Sequence, residues 1–228
     1  MTLTRSAQLP FAWGETLEYN ISFGPIHVGH GTMELAAPDT IRGVPVMHAI
    51  FRLSGGTLFF HVNDRIESWF DTTTFSSLRF IQNVHEGRYR ANRVFEIYPL
   101  ERKYERVGDT TYATVAQPLD DASFLYFVRT LSLAVGAEYR FNRYFELDGN
   151  PVVLRVLRTE RVTVPAGTFD AVVIQPVIAT RGIFSKRGHA EVWLRVDGGH
   201  EVLQMKSGLT FGSINLYLTR ATPGHRAK

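Results

Sequence analysis

The feature of this sequence that most restricts its fold is a regular alternation of apolar and polar residues. From Leu17 to Phe23 every second residue is apolar, and polar residues fill the positions between them. Because successive side chains of a β-strand point to opposite faces of a sheet, this pattern predicts a half-buried strand. The side chains expected on its inner face are Leu17, Tyr19, Ile21 and Phe23, and those expected outside are Glu18, Asn20 and Ser22.

Similar segments recur along the chain and predict about a dozen strands. They follow one another at intervals too short for the crossovers that parallel strands require, so the sheet is expected to be antiparallel. Gly24-Pro25 predicts the turn of a first hairpin, and Pro165 to Thr168 predicts a structural connector between two long strands. The predicted strands are 15–23, 26–35, 44–53, 62–70, 77–86, 88–98, 110–115, 138–147, 152–164, 168–179, 188–196, 201–206 and 211–219.

One segment departs from this period. Asp120 to Leu131 begins with two acidic residues, carries Arg129 near its end and places its apolar residues at helical spacing. The sequence therefore predicts one substantial helix over this segment.

So many strands in one flat sheet would leave long exposed edges, so the sheet is expected to curl. The predicted fold is all-β with one helix, a curved antiparallel sheet forming a barrel, half-barrel or β-spiral, with the helix on its concave side. No composition shift marks a boundary, so residues 1–228 are expected to form a single β domain with an ordered core at 10–221 and flexible ends at 1–9 and 222–228. The 16 Phe, 9 Tyr and 3 Trp can either fill the interior or line an apolar cavity, and the sequence leaves both open.

Composition excludes several classes of function. The chain of 228 residues has no cysteine, so it forms no disulfide, thiolate metal site or cysteine nucleophile. Its 25 basic and 22 acidic residues are interspersed, so nucleic acid is not an expected partner, although the basic loop Arg181 to Arg187 would suit an anionic one such as a lipid headgroup. No apolar run is long enough to predict a transmembrane segment.

Motifs of catalysis and cofactor binding are not found. The sequence has no G-x-S-x-G elbow, no H-E-x-x-H, no phosphate-binding loop and no dinucleotide fingerprint. No catalytic residue and no cofactor is predicted, and an enzyme is not the favoured interpretation.

Three groups of residues are candidates for a chemical site. His27 and His30 lie three apart in a strand and so are expected on opposite faces, which predicts no metal site unless the neighbouring glycines bulge the chain. Asp64 and Glu67 are also expected on opposite faces and, with His61, are the nearest approach to acid–base residues, but surface charge is the better interpretation. The acidic start of the helix from Asp120 to Ser123 is interpreted as a cap.

Several segments, in this order and spacing, resemble the bacterial DUF3108 family. They cover nearly the whole chain, and their combination is more specific than any one of them. The segments are Pro10-Phe11, Gly14-Glu15, Leu17 to Tyr19, Gly29 with Gly31, Arg65 to Asp71, Asp121 to Arg129, Val164 to Ala171 and Phe211 to Ser213.

The resemblance implies an exported protein of the Gram-negative envelope, and hence a periplasmic location. Residues Met1 to Leu9 lack the apolar core of a secretory signal, so either the protein is cytoplasmic or the signal was removed or lost. The family supplies no established catalytic residues to transfer. Arg65, Glu67 and Arg129 are interpreted as charge-paired supports, with Arg129 at the mouth of a cavity as the alternative.

The leading functional hypothesis is a non-enzymatic envelope protein that holds a hydrophobic or amphiphilic ligand, or an extended polymer, in a concave β groove. The alternative is a structural or protein-interaction module with a packed interior and an exposed edge or loop for a protein partner, and an envelope-polymer hydrolase ranks third. No metal site is predicted. The candidate ligand-binding residues are those of the helix: Phe124, Tyr126, Phe127, Val128 and Arg129.

Overall fold

The computed structural model describes residues 9–57, 60–178, 190–209 and 212–225. These residues form one large antiparallel sheet whose neighbouring strands are mostly neighbours in sequence. The sheet is curved but does not close, so of the shapes that the sequence left open the full barrel is not formed. The expected loop Arg181 to Arg187, and Phe211, lie outside the described residues.

Among the described residues, the sheet has 15 strands and is accompanied by one α-helix and one short 3-10 helix at Leu147–Gly149. The path of hydrogen-bonded neighbours runs β10-β11-β12-β13-β14-β15-β1-β2-β4-β5-β6-β7-β8-β9, and β3 pairs with β4 at its side. The elements are β1 Thr16–Phe23, β2 Ile26–Leu35, β3 Asp39–Ile41, β4 Val44–Thr57, β5 Phe60–Asp71, β6 Ser77–Glu86, β7 Tyr89–Tyr98, β8 Lys103–Arg106, β9 Thr111–Ala113, α1 Asp121–Val128, β10 Glu138–Phe141, β11 Val152–Val164, β12 Gly167–Val177, β13 Glu191–Arg195, β14 Val202–Leu209 and β15 Gly212–Thr222.

The prediction for β1 is confirmed for its first three inward residues. Leu17 and Tyr19 are 1% exposed and Ile21 is 7% exposed. The prediction that Phe23 lies on the inner face is wrong, since Phe23 is 41% exposed. It pairs with Ile26 at the tip of the β1–β2 hairpin, where the strand has run past the packed interior.

Helix α1 begins where the sequence predicts and ends three residues earlier. Asp120 caps it by accepting hydrogen bonds from the backbone amides of Ala122 and Ser123. After Val128 the backbone tightens, because the amides of Thr130 and Leu131 bond carbonyls only three residues back.

The predicted strand 138–147 is shorter in the structure, because β10 ends at Phe141. The chain then leaves the sheet and places Phe145 on the inside of β6, β7 and β8, where its ring centroid lies 5.2 Å from those of Phe95 and Tyr104. The Thr114 hydroxyl donates to the Phe145 carbonyl at 2.6 Å. The two ends of the open sheet are therefore joined by packing.

The predicted connector at Pro165 to Thr168 is confirmed as a hairpin turn. Val164 pairs with Gly167 across it, and Gly167 has a φ of 139°. Only glycine adopts this conformation without strain, which gives the segment an architectural role.

Candidate functional site

Helix α1 is held at its C-terminal end by a buried ion pair. The guanidinium of Arg129 donates to both carboxylate oxygens of Glu15, at 2.6 and 2.8 Å, and its Nε donates to the Gly199 carbonyl at 2.9 Å. The rings of Phe11 and Tyr126 lie 4.8 and 5.3 Å from its central carbon. This confirms Arg129 as a charge-paired support, and its donors point into the protein.

The N-terminal end of α1 is held by a second buried polar cluster. The Asp120 carboxylate accepts hydrogen bonds from the hydroxyls of Ser68 on β5 and Ser77 on β6. Ser123 donates its backbone amide to Asp120 and accepts the Asp120 amide on its hydroxyl. The helix is thereby anchored to the inner face of the sheet at both ends.

Two neighbouring carboxyls at this end have raised pKa values. Burial raises the pKa of Asp120 against the opposing effect of its hydroxyl and amide donors. Burial, followed by the charge of Asp120, raises the pKa of Asp121 to about 7. The Tyr144 hydroxyl donates to Asp121 at 3.1 Å, so Asp121 also links α1 to the segment after β10.

The residues predicted to bind ligand are mostly inside the protein. Phe124, Tyr126, Val128 and Arg129 are all at most 3% exposed. Phe127 is partly exposed and packs between the rings of Phe75 and Phe141. The structure thus brings all five together on one short helix, with their side chains directed into packed contacts.

Beneath α1 and Phe145, one part of the inner face of the sheet is covered. One row of cross-strand neighbours runs over β2, β4, β5, β6 and β7, and none of its members exceeds 5% exposure. The helix anchor Ser68 belongs to this row. Its members are Leu35, Ala49, Ser68, Phe80 and Phe95.

The next row on the same face lies two residues away on each strand. It is accessible to solvent from β4 to β7. Its members are Met33, Phe51, Ile66, Gln82 and Arg93. Leu53, two residues beyond Phe51, is also partly exposed and lies against Gly31, where an added methyl group would lie 3.0 Å from it. We call the surface formed by Phe51, Leu53, Ile66, Gln82 and Arg93 the open concave face.

The open concave face has an apolar half and a polar half. Phe51, Leu53 and Ile66 form the apolar half, and the ring centroid of Phe51 lies 6.3 Å from that of Tyr126 on α1. In the polar half, Arg93 donates to the Tyr89 hydroxyl at 2.8 Å and to Gln82 at 3.4 Å. Among the ion pairs of the described residues, Arg93 takes part in none.

A carboxyl pair borders the polar half. Asp64 is 6% exposed and accepts the backbone amide of His85 at 2.8 Å. Burial, together with the charge of Asp64, raises the pKa of Glu86 at the end of β6.

The acid–base candidates do not form one site. Glu67 lies on the outer face, where Arg65 donates to it at 2.7 Å and His48 is 2.9 Å away. The hydrogen bond from Arg65 is the main reason why the pKa of Glu67 is lowered. Arg65 and Glu67 are thus a charge-paired support as predicted, and Asp64 faces the other side of the strand.

The described residues contain neither a cluster of metal-ligating side chains nor a membrane-spanning helix. No group of three or more metal-ligating side chains is found among the residues that the structure describes. In the same residues, no helix is both long and apolar enough to cross a bilayer.

Fold and site together define a class: curved, open antiparallel β proteins whose single helix covers part of the concave face. Within this class, the chain belongs to the family described as "Protein of unknown function (DUF3108)", whose profile matches residues 18–219. A comparison with curated proteins finds no match.

Solved structures resemble the chain over most of its length. A β-barrel-like protein of the domain of unknown function DUF1849 from Brucella abortus has a TM-score of 0.61 and 8% identity, covering 94% of this chain and 99% of that one. A candidate lipoprotein from Parabacteroides distasonis has a TM-score of 0.43 and 13% identity, covering 96% and 100%. At 8% identity, the likeness to the Brucella protein shows the fold alone.

Sequence reasoning missed the open concave face. Its apolar residues alternate correctly in the predicted strands 44–53 and 62–70, so they were identifiable as inward-facing. What the sequence could not show is how far along these strands α1 reaches, because that depends on its anchors at Ser68 and Glu15.

Proposed function

We propose that this protein is a non-enzymatic binding protein for amphiphiles of the bacterial envelope, with the open concave face as its binding surface. The observation that carries the proposal is the change in exposure along one face of the sheet. The row that includes Ser68 is covered by α1 over β4 and β5 and by Phe145 over β6 and β7, whereas the next row leaves Phe51 and Ile66 partly exposed on a concave surface. An envelope location follows from the family resemblance and is part of the same proposal.

The chemistry of this surface suits a ligand with an acyl chain and an anionic head. Phe51, Leu53 and Ile66 offer adjacent apolar surface, and burying an acyl chain there would contribute about 0.8 kcal/mol per methylene. Arg93 hydrogen-bonds the neutral groups of Gln82 and Tyr89, and although its charge also acts on the Glu146 carboxyl, its guanidinium is partly exposed and can bind a carboxylate or phosphate.

In this proposal α1 forms the end wall of the binding surface. Tyr126 contacts Phe51 at the boundary between the covered and open rows. Phe124, Val128 and Arg129 hold the wall in place from within the core, and Phe127 fixes its outer side against Phe141. The five predicted residues would then shape the site through the position of the helix.

The proposal is tested by titrating delipidated protein with cis-parinaric acid, an anionic fatty acid that becomes fluorescent when bound. Wild-type protein should bind it saturably. Leu53→Asn should weaken binding at least about tenfold, since it removes apolar contact from the surface. The matched control is Leu100→Asn, because Leu100 is fully exposed in the β7–β8 turn and should leave binding unchanged.

A second pair of variants tests the role assigned to Arg93. Arg93→Gln should weaken binding of the fatty acid several-fold and leave displacement by the matching fatty alcohol unchanged, since only the acid carries charge. Arg90→Gln lies on the same strand with its side chain on the opposite face and should affect neither. No saturable binding by wild-type protein, or equal effects of the two arginine variants, would contradict the proposal.

A protein-interaction module is the second candidate, and one observation favours it. Strand β9 ends the sheet, and Thr111, Tyr112 and Ala113 are all exposed. A free edge of this kind can accept a strand from a partner. Replacing Thr111 by proline should then abolish capture of that partner while fatty-acid binding persists.

A further inference from the structure

A β-bulge in β2 brings two histidines onto one face of the sheet. Ile21 pairs with Gly29, but the next residue of β1, Ser22, pairs with His27, so Val28 is an extra residue in β2. In a regular strand, side chains three positions apart point to opposite faces of the sheet. One extra residue between them places both side chains on the same face. His27 and His30 are consequently both exposed, with ring centroids 4.9 Å apart.

The bulge is fixed by the close approach of two glycines. At Gly29 an added methyl carbon would lie 2.2 Å from the Ser54 carbonyl oxygen and 2.6 Å from the Gly55 backbone. No larger residue fits there, so the spacing of the two imidazoles is set by backbone packing. The sequence predicted a metal site at His27 and His30 only if the neighbouring glycines bulge the chain, and the structure has this bulge.

The ring separation matches that of two imidazoles on one metal ion. With metal–nitrogen bonds of about 2.0–2.1 Å and ligand angles between a right angle and the tetrahedral value, the centroids of two coordinated rings are about 4.5–5.2 Å apart. The observed 4.9 Å lies inside this range. The two rings are inclined at 59° to each other, and both side chains are exposed.

We infer that His27 and His30 form a surface site for a divalent transition metal ion of the imidazole-binding class, with Cu²⁺ bound most tightly. Imidazole suits Cu²⁺, Ni²⁺ and Zn²⁺, and the affinity of nitrogen sites rises to Cu²⁺ and then falls at Zn²⁺. On β1, the neighbours on the same face are Asn20, which pairs with His30, and Ser22, which pairs with His27. Both are partly exposed, so water would complete the coordination of an open site.

The test is a calorimetric titration of the full chain, without a polyhistidine tag and after chelator treatment, with Cu²⁺. Wild-type protein should bind one ion tightly, with electron paramagnetic resonance showing coupling to two imidazole nitrogens. His27→Ala and His30→Ala should each weaken this binding at least about tenfold, because one imidazole cannot chelate. Both residues are exposed, so the melting temperature should stay unchanged.

The matched control is His61→Ala, which removes another exposed histidine that sits on β5. It should bind Cu²⁺ as the wild type does. Equal affinity in the wild type and in the His27→Ala, His30→Ala double variant would overturn the site. So would a spectrum that shows one nitrogen in the wild type. Both results are independent of whether fatty acid binds.

Discussion

Arg129 and Glu15 are 114 positions apart in the chain and form a two-pronged ion pair inside the core. Their side chains are 3% and 7% exposed, so both charged groups are shielded from solvent and interact with each other. The pair joins the end of α1 to the start of β1. It therefore fixes where the helix crosses the concave face, and with that how much of β4 and β5 the helix covers.

Removal of one member of this pair should be strongly destabilising. Arg129→Ala leaves the Glu15 charge buried without a partner, which should lower the free energy of unfolding by about 3–5 kcal/mol in urea titrations. The control is Arg140→Ala, whose pair with Glu138 is largely exposed and should be worth less than about 1 kcal/mol. Equal losses in both variants would contradict the role assigned to Arg129.

Stability should decrease as the pH rises toward neutrality because of Asp121. Its folded pKa of about 7 lies above the unfolded value of about 3.9, so between these limits the folded chain holds a proton that the unfolded chain releases. The contribution is complete below about pH 4 and is lost as the pH passes through about 7. Asp121→Asn should reduce this slope in urea titrations at several pH values.

The control for that slope is Asp197→Asn. The hydrogen bond from Arg195 lowers the pKa of Asp197, so its contribution is lost only in acid and leaves the window from about pH 5 to 7 unchanged. If Asp121→Asn and wild type have parallel pH profiles, the assignment of the raised pKa to Asp121 is wrong.

The two phenylalanines Phe124 and Phe23 should differ sharply in their contribution to stability. Phe124 is 1% exposed under the helix, and Phe124→Ala should cost about 3–5 kcal/mol, as deletion of a buried ring does. Phe23 is 41% exposed at a hairpin tip, and Phe23→Ala should cost much less. Thermal unfolding of the two variants checks this, and similar melting temperatures would be inconsistent with α1 as a packed wall.

Local pattern predicted most of the architecture, because strand alternation and capping chemistry are properties of short segments. The β1–β2 hairpin, the cap of α1 at Asp120 and the turn before Gly167 are confirmed. The short strands β3 and β8 were missed, since three or four residues carry too little periodicity. Their existence depends on neighbours that pair with them.

The errors occur where distant contacts decide the conformation. The predicted strand 138–147 breaks after Phe141 because Tyr144 bridges to Leu119 and Phe145 enters the core beside Phe95. The bulge at Val28 arises from the approach of Gly29 to Gly55 on another strand. The open concave face was missed for the same reason, since the reach of α1 is set by anchors elsewhere in the chain.

Native mass spectrometry of the protein exported to the periplasm of Gram-negative cells tests most directly whether the open concave face holds an amphiphile. We expect a fraction of the molecules to be heavier by the mass of one phospholipid or fatty acid. That fraction should disappear in Leu53→Asn and persist in Leu100→Asn. A wild-type spectrum that contains only the mass of the bare chain, from protein that also fails to bind cis-parinaric acid, would contradict the claim.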